Sequence, residues 1–271
     1  ISPRISTYLW MESCRVRSRT GHRTVAVSGL IAQQLEQAYG PIADIQIIPP
    51  GVSAAPLPDA SARAAQRHAL GFSPDDRVCL LVARNPLRKG LPVILKAMGQ
   101  LPGHVKLLVV GGDDTTRAYV RQHVAAEVME RVVVAGETSN VDAYYAVADL
   151  YVHPTLNDSY GMAPLEAMAF GLPVIVSATP WCGLSQYIRH EQEALLLSQP
   201  EDPDELAGSI TRILEDDSLR RRLAQGGKDF SLTRGWPEIA RQYLDLYHQA
   251  MAERRTPETS AEGGTNQGGN R

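Results

Sequence analysis

The sequence predicts an α/β protein built on a Rossmann-like, doubly wound parallel sheet. Short apolar runs recur between residues 77 and 197, and segments with a helical pattern separate them. The runs are rich in valine, leucine and isoleucine and do not alternate with polar residues, which is typical of strands buried on both faces. Several runs end in glycine or proline, as expected where a strand turns sharply into a loop that faces a ligand.

The composition narrows the class of protein. The chain has 271 residues, 44% hydrophobic and 21% charged, which is typical of a soluble globular protein. A net charge of -3 provides no whole-protein field to recruit nucleic acid. The three cysteines form no CxxC pair, which argues against a disulfide framework or a zinc site and favours a reducing compartment. No apolar run approaches the roughly 20 residues that span a bilayer, and no signal peptide is evident, so we expect a cytoplasmic protein.

The first quarter of the chain predicts a small separate unit followed by a linker. Ser28 has the residue type and position of a helix N-cap, and Gly40-Pro41 would end that helix. Because the chain opens on Ile1 within a helical pattern, we expect a fragment of a longer protein. The predicted elements are a helix over 3–19, a strand over 24–28, a helix over 29–39, a strand over 45–52 and a linker over 53–62.

The opening segment is locally basic, and its function stays open between two interpretations. One is a solvated helix face, and the other is a surface that contacts an anionic membrane or acceptor, since each basic side chain near a bilayer contributes about 1 kcal/mol. The arginines are Arg4, Arg15, Arg17, Arg19 and Arg23.

The central region predicts repeated right-handed βαβ units. Strands are predicted over 77–84, 105–112, 131–136, 149–154, 172–177 and 193–197, and helices over 91–100, 115–129, 140–148, 161–170 and 182–189. Three further helices, over 203–216 with Asp202 as N-cap, 218–228 and 236–251, are expected before a tail rich in glycine, serine and threonine.

Two acids frame the start of one predicted helix. Asp158 precedes the helix that begins near Gly161, and Glu166 lies more than one turn inside it. With a rise of about 1.5 Å per residue we expect the two carboxylates about 10 Å apart. That is wider than the roughly 5 Å of a retaining glycosidase pair, and it suits the two hydroxyl-bearing ends of one long ligand.

The residues between the acids predict an anion site. The first amides of a helix have no internal partner, and a glycine lets the backbone approach a ligand closely. We therefore expect sugar hydroxyls on Asp158, a diphosphate on the amides of 161–163 and ribose hydroxyls on Glu166. The alternative is that Asp158 only caps the helix and that Glu166 is solvated, and the motif alone leaves both open.

A second group of charges follows the first strand of the sheet. Arg84, Arg88 and Lys89 lie near its end, and Arg84 would sit in an apolar strand terminus, where an unpaired charge is costly. These cations would grip a diphosphate from the side opposite the helix amides. The alternative is ordinary surface charge. We interpret His153, a single histidine at a strand end, as a packing or hydrogen-bonding residue rather than a base.

Five blocks, in order, resemble the C-terminal, donor-binding half of family 4 glycosyltransferases with the GT-B fold. The segments 180–188, RKG and the HP at 153–154 look most like the lipopolysaccharide-core hexosyltransferase branch. The blocks are IIPPGV (47–52), RNPLRKG (84–90), LLVVGG (107–112), VVVAGETSNVDAYYAVADLYVHP (132–154) and DSYGMAPLEAMAFGLPVIVS (158–177).

The resemblance implies a retaining transfer of a hexose from a nucleotide-diphosphate sugar to an acceptor hydroxyl, with no bound metal and no further cofactor. Arg84 and Lys89 match the residues that hold the diphosphate and stabilise the leaving group, and Asp158 matches the acid that contacts the donor sugar. We therefore treat these three as catalytic candidates. The donor-binding candidates are Gly136, Glu137 and Thr138 against the nucleobase, Ser159, Tyr160, Gly161, Met162 and Ala163 around the diphosphate, and Glu166 at the ribose.

The chain departs from the family in two ways. Asp158 stands where the family carries a glutamate, so its carboxylate reaches one methylene less far. Only the last elements of an acceptor-binding domain are expected, over 1–52, before the linker 53–62, a donor-binding domain over 63–200, helices over 201–252 and a disordered tail over 253–271. Since proximity of two substrates supplies much of the acceleration, an isolated half would bind donor without transferring it.

The expected partners are therefore a nucleotide-sugar donor and a saccharide or lipid-linked acceptor, with peripheral membrane contact at the inner face and no nucleic acid. Two alternatives to a transferase in envelope polysaccharide or lipopolysaccharide synthesis stay open. One is another GT-B enzyme, such as a nucleotide-sugar epimerase, a hydrolase or a phosphorylase. The other is a donor-binding module that acts through a partner chain.

Overall fold

A parallel six-stranded sheet forms the centre of the protein. The computed structural model describes residues 3–16, 23–53 and 59–255. In the described chain the strands are β1 (Thr24–Ala26), β2 (Ile45–Ile47), β3 (Arg77–Val82), β4 (Val105–Val110), β5 (Val132–Ala135), β6 (Leu150–His153), β7 (Val174–Ser177) and β8 (Leu195–Leu197). The order across the sheet is β5-β4-β3-β6-β7-β8, which confirms the predicted Rossmann-like topology. β1 and β2 pair in a separate two-stranded parallel sheet.

Eleven α-helices accompany the strands in the described residues. They are α1 (Pro3–Val16), α2 (Gly29–Tyr39), α3 (Ala60–Ala69), α4 (Leu91–Met98), α5 (Asp114–His123), α6 (Ala126–Met129), α7 (Asp142–Val147), α8 (Met162–Ala169), α9 (Pro203–Glu215), α10 (Asp217–Leu232) and α11 (Trp236–Arg255). Pro86–Lys89 and Gly183–Gln186 form single 3₁₀ turns. None of the described helices combines the length and the apolar composition needed to cross a membrane.

The two faces of each central strand explain why the apolar runs do not alternate. On β3, Cys79 and Leu81 pack against α4 and α9, whereas Val78 and Leu80 pack on the opposite side with residues of α7 and α8. All four side chains are fully buried. Both hydrophobic layers therefore depend on the same strands, and the carboxyl ends of the strands are left to carry loops.

The predicted caps are confirmed. The hydroxyl of Ser28 accepts a hydrogen bond from the amide of Ile31 at 3.2 Å, and the carboxylate of Asp202 accepts one from the amide of Asp204 at 2.9 Å. Both bonds satisfy amides that a helix cannot satisfy internally.

Several predicted boundaries were wrong. The first turn of α3 falls in the predicted linker, because Asp59 caps Ala62 and so starts a helix there. Extended backbone at Val124 divides the predicted helix 115–129. The last helix continues through 253–255, which were assigned to the tail, and 256–271 lie outside the described residues.

The predicted helix 182–189 is reduced to one 3₁₀ turn. The amides that would begin it are used elsewhere, because Gly183 donates to the carbonyl of Asp158 at 3.0 Å and Leu184 to that of Tyr160 at 2.6 Å. A Cβ on Gly183 would lie 2.2 Å from the carbonyl oxygen of Ser159, so only glycine allows this approach. The segment thus braces the loop that carries Asp158.

The N-terminal elements contact the rest of the described chain at several places. At the start of α2, the amide of Gly29 donates to the Tyr187 hydroxyl at 3.0 Å and the amide of Leu30 to the Gln186 side chain at 2.7 Å. Ile48, Ile239 and Leu246 form a small buried cluster between β2 and α11.

Candidate functional site

A cleft of about 870 Å³ opens at the carboxyl ends of β3 and β6. These strands are neighbours at the point where the strand order reverses, which is where open α/β sheets bind ligands. Two loops border the cleft, 84–89 after β3 and 156–163 after β6. A smaller cavity of about 340 Å³ shares Val82, Ala83 and Arg84 with it and extends to Glu137, Thr138 and Glu166. The two spaces together follow one edge of the sheet.

The cleft brings Lys89, His153 and Asp158 into direct contact. The ammonium of Lys89 donates to Oδ2 of Asp158 at 2.7 Å and to the carbonyl of Asn157 at 2.9 Å. Nε2 of His153 lies 2.9 Å from the same Oδ2. Because the geometry joins one carboxylate oxygen to two donors, Asp158 does not cap α8, and that alternative is excluded.

The protonation states follow from these contacts. Burial lowers the pKa of His153 below its ordinary 6.5, against the raising effect of the Asp158 carboxylate. Burial alone would raise the pKa of Asp158, but the hydrogen bond and charge of His153, and then those of Lys89, outweigh it and hold that pKa well below its ordinary value. At neutral pH Asp158 is therefore ionised, and a neutral His153 donates from Nε2.

The loop after β3 places Arg84 outside the apolar environment that the sequence suggested. β3 ends at Val82, and both Arg84 and Arg88 are exposed, so the argument from a costly buried charge was wrong. Neither guanidinium has a hydrogen-bond or ion-pair partner within the described part of the chain. Gly90 fixes the end of this loop, since its φ is 95° and an added Cβ would lie 2.3 Å from the carbonyl oxygen of Pro154. Lys89 is thereby held against the 154–158 segment.

The start of α8 presents unpaired backbone donors. The amides of Gly161, Met162 and Ala163 donate to no backbone carbonyl of the described residues, and all three residues line the cleft. Gly161 has a φ of 107°, which favours glycine, and an added Cβ would lie 3.0 Å from Sγ of Cys182. These amides and the cations of the loop after β3 thus border the same space.

Glu166 lies one turn into α8 beside the smaller cavity. The Tyr145 hydroxyl donates to its Oε2 at 2.7 Å and lies 3.2 Å from the carbonyl of Ala163. Burial raises the pKa of Glu166 above its ordinary 4.5, the Tyr145 hydrogen bond opposes this, and the charge of Asp142 adds to it. Glu166 is half-buried and bonded, so it is not merely a solvated residue.

The remaining predicted residues lie in the loop after β5 and in the loop before α8. Gly136, Glu137 and Thr138 follow β5, and the latter two are exposed at the smaller cavity. Ser159 contributes its carbonyl to the Ser28 hydroxyl at 2.6 Å. The Tyr160 ring is buried, and its hydroxyl has no partner among the described residues.

Two tyrosines that organise this edge were not predicted from the sequence. Tyr145 supports Glu166, and the Tyr151 hydroxyl lies 3.4 Å from Nδ1 of His153. Both rings are fully buried in an apolar layer. The sequence pattern indicates only that they are aromatic residues of the core. The one clue to a further role is that the hydroxyl of a buried tyrosine needs a hydrogen-bond partner.

Two other observations bear on which part of the molecule is the functional site. Within the described ranges, no group of three histidine, cysteine or acidic side chains is arranged to hold a metal ion. Another cavity, of about 530 Å³, lies beside Trp236 and Lys228, but its lining is mainly apolar with one charge. We therefore assign the site to the cleft between the two loops.

Comparisons with known proteins show the family to which the chain belongs. A family model described as "Glycosyl transferases group 1" matches residues 62–230. A D-inositol 3-phosphate glycosyltransferase of Xylanimonas cellulosilytica is 35% identical over 235 residues, which are 82% of this chain and 56% of that protein. An uncharacterized glycosyltransferase of Methanocaldococcus jannaschii is 31% identical over 68% of this chain and 48% of its own length. The chain thus spans about half the length of the curated relatives it matches.

Solved structures show the same fold. A sucrose-phosphate synthase from Thermosynechococcus elongatus superposes with a TM-score of 0.77 at 27% identity, covering 91% of this chain and 62% of that one. WaaG, described as a glycosyltransferase involved in lipopolysaccharide biosynthesis, has a TM-score of 0.77 at 21% identity over 91% of this chain and 68% of its own. The six-stranded Rossmann-like unit is therefore that of GT-B glycosyltransferases, and the chain belongs to the group 1 family of glycosyl transferases.

Proposed function

We propose that this chain binds a nucleotide-diphosphate sugar and contributes to the transfer of its hexose, with retention, to an acceptor hydroxyl. The observation that carries the proposal is the convergence of Arg84, Lys89 and the unpaired amides of α8 on one cleft. Cations and backbone donors on opposite sides of a cleft suit a diphosphate. In this proposal Asp158 contacts the sugar, Glu166 the ribose and Gly136, Glu137 and Thr138 the nucleobase.

The chemistry explains why the positive groups are the catalytic candidates. As the bond to the diphosphate breaks, negative charge leaves with the phosphate and the anomeric carbon becomes cationic. Fixed cations and oriented amides stabilise the departing charge most strongly in a cleft with little water. We assign this role to Arg84, Lys89 and the amides of 161–163, and no metal or further cofactor enters the proposal.

Calorimetric titration with UDP, GDP and ADP tests the donor site. We expect one of the three to bind, and Lys89→Ala to weaken it about 10- to 100-fold through loss of a charge-assisted contact. The matched control is Lys96→Ala, because Lys96 is exposed on α4 and does not line the cleft. If none of the nucleotides binds, or if both variants bind as the wild type does, the proposal is wrong.

For the acceptor we propose a saccharide or lipid-linked hydroxyl in cell-envelope synthesis, as the resemblance to the lipopolysaccharide-core branch implies. The relatives named D-inositol 3-phosphate glycosyltransferases support a second candidate, a phosphorylated cyclitol. Radiolabelled donor incubated with each acceptor class separates the two. Release of free sugar without acceptor would instead support hydrolysis.

We also propose a cytoplasmic location with peripheral contact at the inner face of the membrane. α1 supports it, since Ile5, Tyr8 and Trp10 are all more than half exposed. Co-sedimentation with anionic and neutral vesicles tests this contact.

A second proposal is a donor-binding module that needs another chain for transfer. It rests on the same cleft, whose lining supplies groups for a donor diphosphate. Nucleotide binding without turnover, followed by turnover when a complementing chain is added, would support it.

A further inference from the structure

His153 has a bonding arrangement that a packing residue does not require. It ends β6, its side chain is 2% exposed, and Nε2 lies 2.9 Å from Oδ2 of Asp158. On the other side of the ring, Nδ1 lies 3.4 Å from the Tyr151 hydroxyl, which lies 3.3 Å from the carbonyl of Val82 at the end of β3. The imidazole therefore connects the ends of two neighbouring strands to the cleft.

The carboxylate of Asp158 is held by one oxygen. Oδ2 receives both His153 and Lys89, whereas Oδ1 has no hydrogen-bond partner among the described residues. Lys89 uses two of its three N–H groups, on Oδ2 and on the carbonyl of Asn157, and keeps the third. One acceptor and one cationic donor thus remain available side by side at the cleft.

Resting on the proposed function, we propose that His153 is a positioning residue that fixes Asp158 through Oδ2 and so keeps Oδ1 for a hydroxyl of the donor sugar. The neutral imidazole donates from Nε2 and has Nδ1 beside the Tyr151 hydroxyl, so it orients the carboxylate without adding a positive charge next to Lys89. In this role it acts through Asp158 rather than on the diphosphate or the sugar.

The same contacts give a reason for the shorter acid at position 158. The backbone of Asp158 is fixed on both sides, since its amide donates to the carbonyl of Trp181 at 2.8 Å and its carbonyl accepts from Gly183 at 3.0 Å. From this fixed point an aspartate side chain reaches His153 at 2.9 Å and Lys89 at 2.7 Å. A glutamate would carry the carboxylate one methylene further and lose the shared geometry. His153 and Asp158 thus act as a matched pair.

The test compares a nucleoside diphosphate with its glucose conjugate, using whichever of UDP, GDP or ADP the wild type binds. The measured quantity is the ratio of the two dissociation constants, which isolates the contribution of the sugar. We expect His153→Leu to shift this ratio against the sugar by about tenfold, the scale of one charge-assisted hydrogen bond. His153→Gln, whose amide donates from a position close to Nε2, should restore most of the ratio. In an Asp158→Ala background, His153→Leu should change the ratio no further.

A purely structural role makes different predictions. It would weaken both ligands equally, or neither, and His153→Gln would then show no selective rescue; either result overturns the proposal. Thermal unfolding of each variant checks folding. If His153→Leu does not fold, Asp158→Glu decides instead, because we expect it to shift the ratio against the sugar by about tenfold, and an unchanged or improved ratio overturns the matched pair.

A measurement on the ligand-free protein tests the contact between His153 and Asp158 independently of nucleotide binding. A long-range ¹H–¹⁵N spectrum of the wild type should show His153 as the neutral Nε2–H tautomer at pH 7. An Nδ1–H tautomer would overturn the positioning contact even if nucleotides bind well. If no nucleotide binds, the proposed function fails and the positioning role fails with it, whatever the tautomer.

Discussion

Two aspartates flank the same strand and are used in opposite ways. Asp149 directly precedes β6 at the amino edge of the sheet, and Asp158 follows β6 at the carboxyl edge. Asp149 has both oxygens occupied, Oδ1 by Arg63 at 2.8 Å and Oδ2 by Arg67 at 3.1 Å and the amide of Val78 at 2.8 Å. Among the residues that the structure describes, Asp158 has partners on Oδ2 alone. The first cluster is closed, and the second leaves bonding capacity.

The cations differ in the same way. Arg67 is 6% exposed, and it also donates to the carbonyls of Val147 at 2.8 Å and Asp76 at 2.6 Å. Arg84, at the carboxyl edge, is exposed and has no partner in the described ranges. The same types of charged side chain therefore have two uses. Where all their hydrogen bonds are made within the protein they stabilise the fold, and where donors or acceptors stay unpaired they are suited to binding a ligand.

The largest expected effect is on the free energy of unfolding, which should differ between substitutions in the two clusters. Arg67→Met should lower the free energy of unfolding by about 3–5 kcal/mol, because it removes a buried partner of Asp149 together with the guanidinium donor to the carbonyls of Val147, Ser73 and Asp76. The matched control Arg84→Met should change it by less than about 0.5 kcal/mol. Urea unfolding followed by circular dichroism measures both. Similar losses in the two variants would break the comparison.

The closed cluster shows where sequence reasoning ends. Arg67 and Asp149 are 82 positions apart, and α3, which carries Arg67, was not predicted. Such a pairing depends on tertiary placement that no local pattern reveals. The open cluster was predictable in part, because its residues occupy loops after strands and match motifs of a known family. The cleft contains Arg84, Lys89, Asp158 and Gly161 as expected.

Physical reasons also separate the correct elements from the wrong ones. The strands were found because burial on both faces gives unbroken apolar runs, and β3 ends at Val82 rather than at residue 84 because the chain turns into the cleft there. The helix predicted over 182–189 failed because amides of Gly183 and Leu184 bond to a distant loop. His153 was interpreted as a packing or hydrogen-bonding residue, but its partner Asp158 is identified only by the tertiary structure.

A smaller effect concerns the acid stability of the open cluster. A carboxyl whose pKa is lowered by folding contributes stability above its ordinary pKa, and that contribution is lost as the pH falls through the lower folded value. Burial alone would raise the pKa of Asp158, but the hydrogen bonds and charges of His153 and Lys89 lower it below its ordinary value. We expect Asp158→Asn to cost about 1–2 kcal/mol at pH 7, through the loss of hydrogen bonds to an ionised group.

The pH dependence separates Asp158 from the titrating groups that it does not contact. The difference in unfolding free energy between wild type and Asp158→Asn should shrink as the pH falls below 3.8, because groups outside this cluster titrate equally in both proteins. Urea titrations at several pH values measure it. A difference that stays constant down to the acid transition would mean that the ionised form of Asp158 is not what Lys89 and His153 stabilise.

The smallest expected effect tests the second acid of the cleft. The pKa of Glu166 is raised above 4.5 by burial, while the hydrogen bond from Tyr145 opposes this and Asp142 adds to it. If its carboxylate accepts ribose hydroxyls, nucleotide affinity should fall as the pH drops through that raised pKa. Tyr145→Phe removes the bond at 2.7 Å, so the pKa rises further and the fall in affinity begins at higher pH.

At pH 7 the loss of affinity in Tyr145→Phe should be only about two- to threefold, since one hydrogen bond that supports a partly exposed carboxylate, and no direct contact with the ligand, is removed. Tyr144→Phe is the matched control, because Tyr144 is the adjacent tyrosine of α7 and does not contact Glu166 through its hydroxyl. Nucleotide titrations between pH 5 and 8 measure the profiles. If Tyr145→Phe and Tyr144→Phe give the same profile as the wild type, Glu166 contributes no ionised contact to the ligand, and the open character of this edge rests on Asp158 and the cations alone.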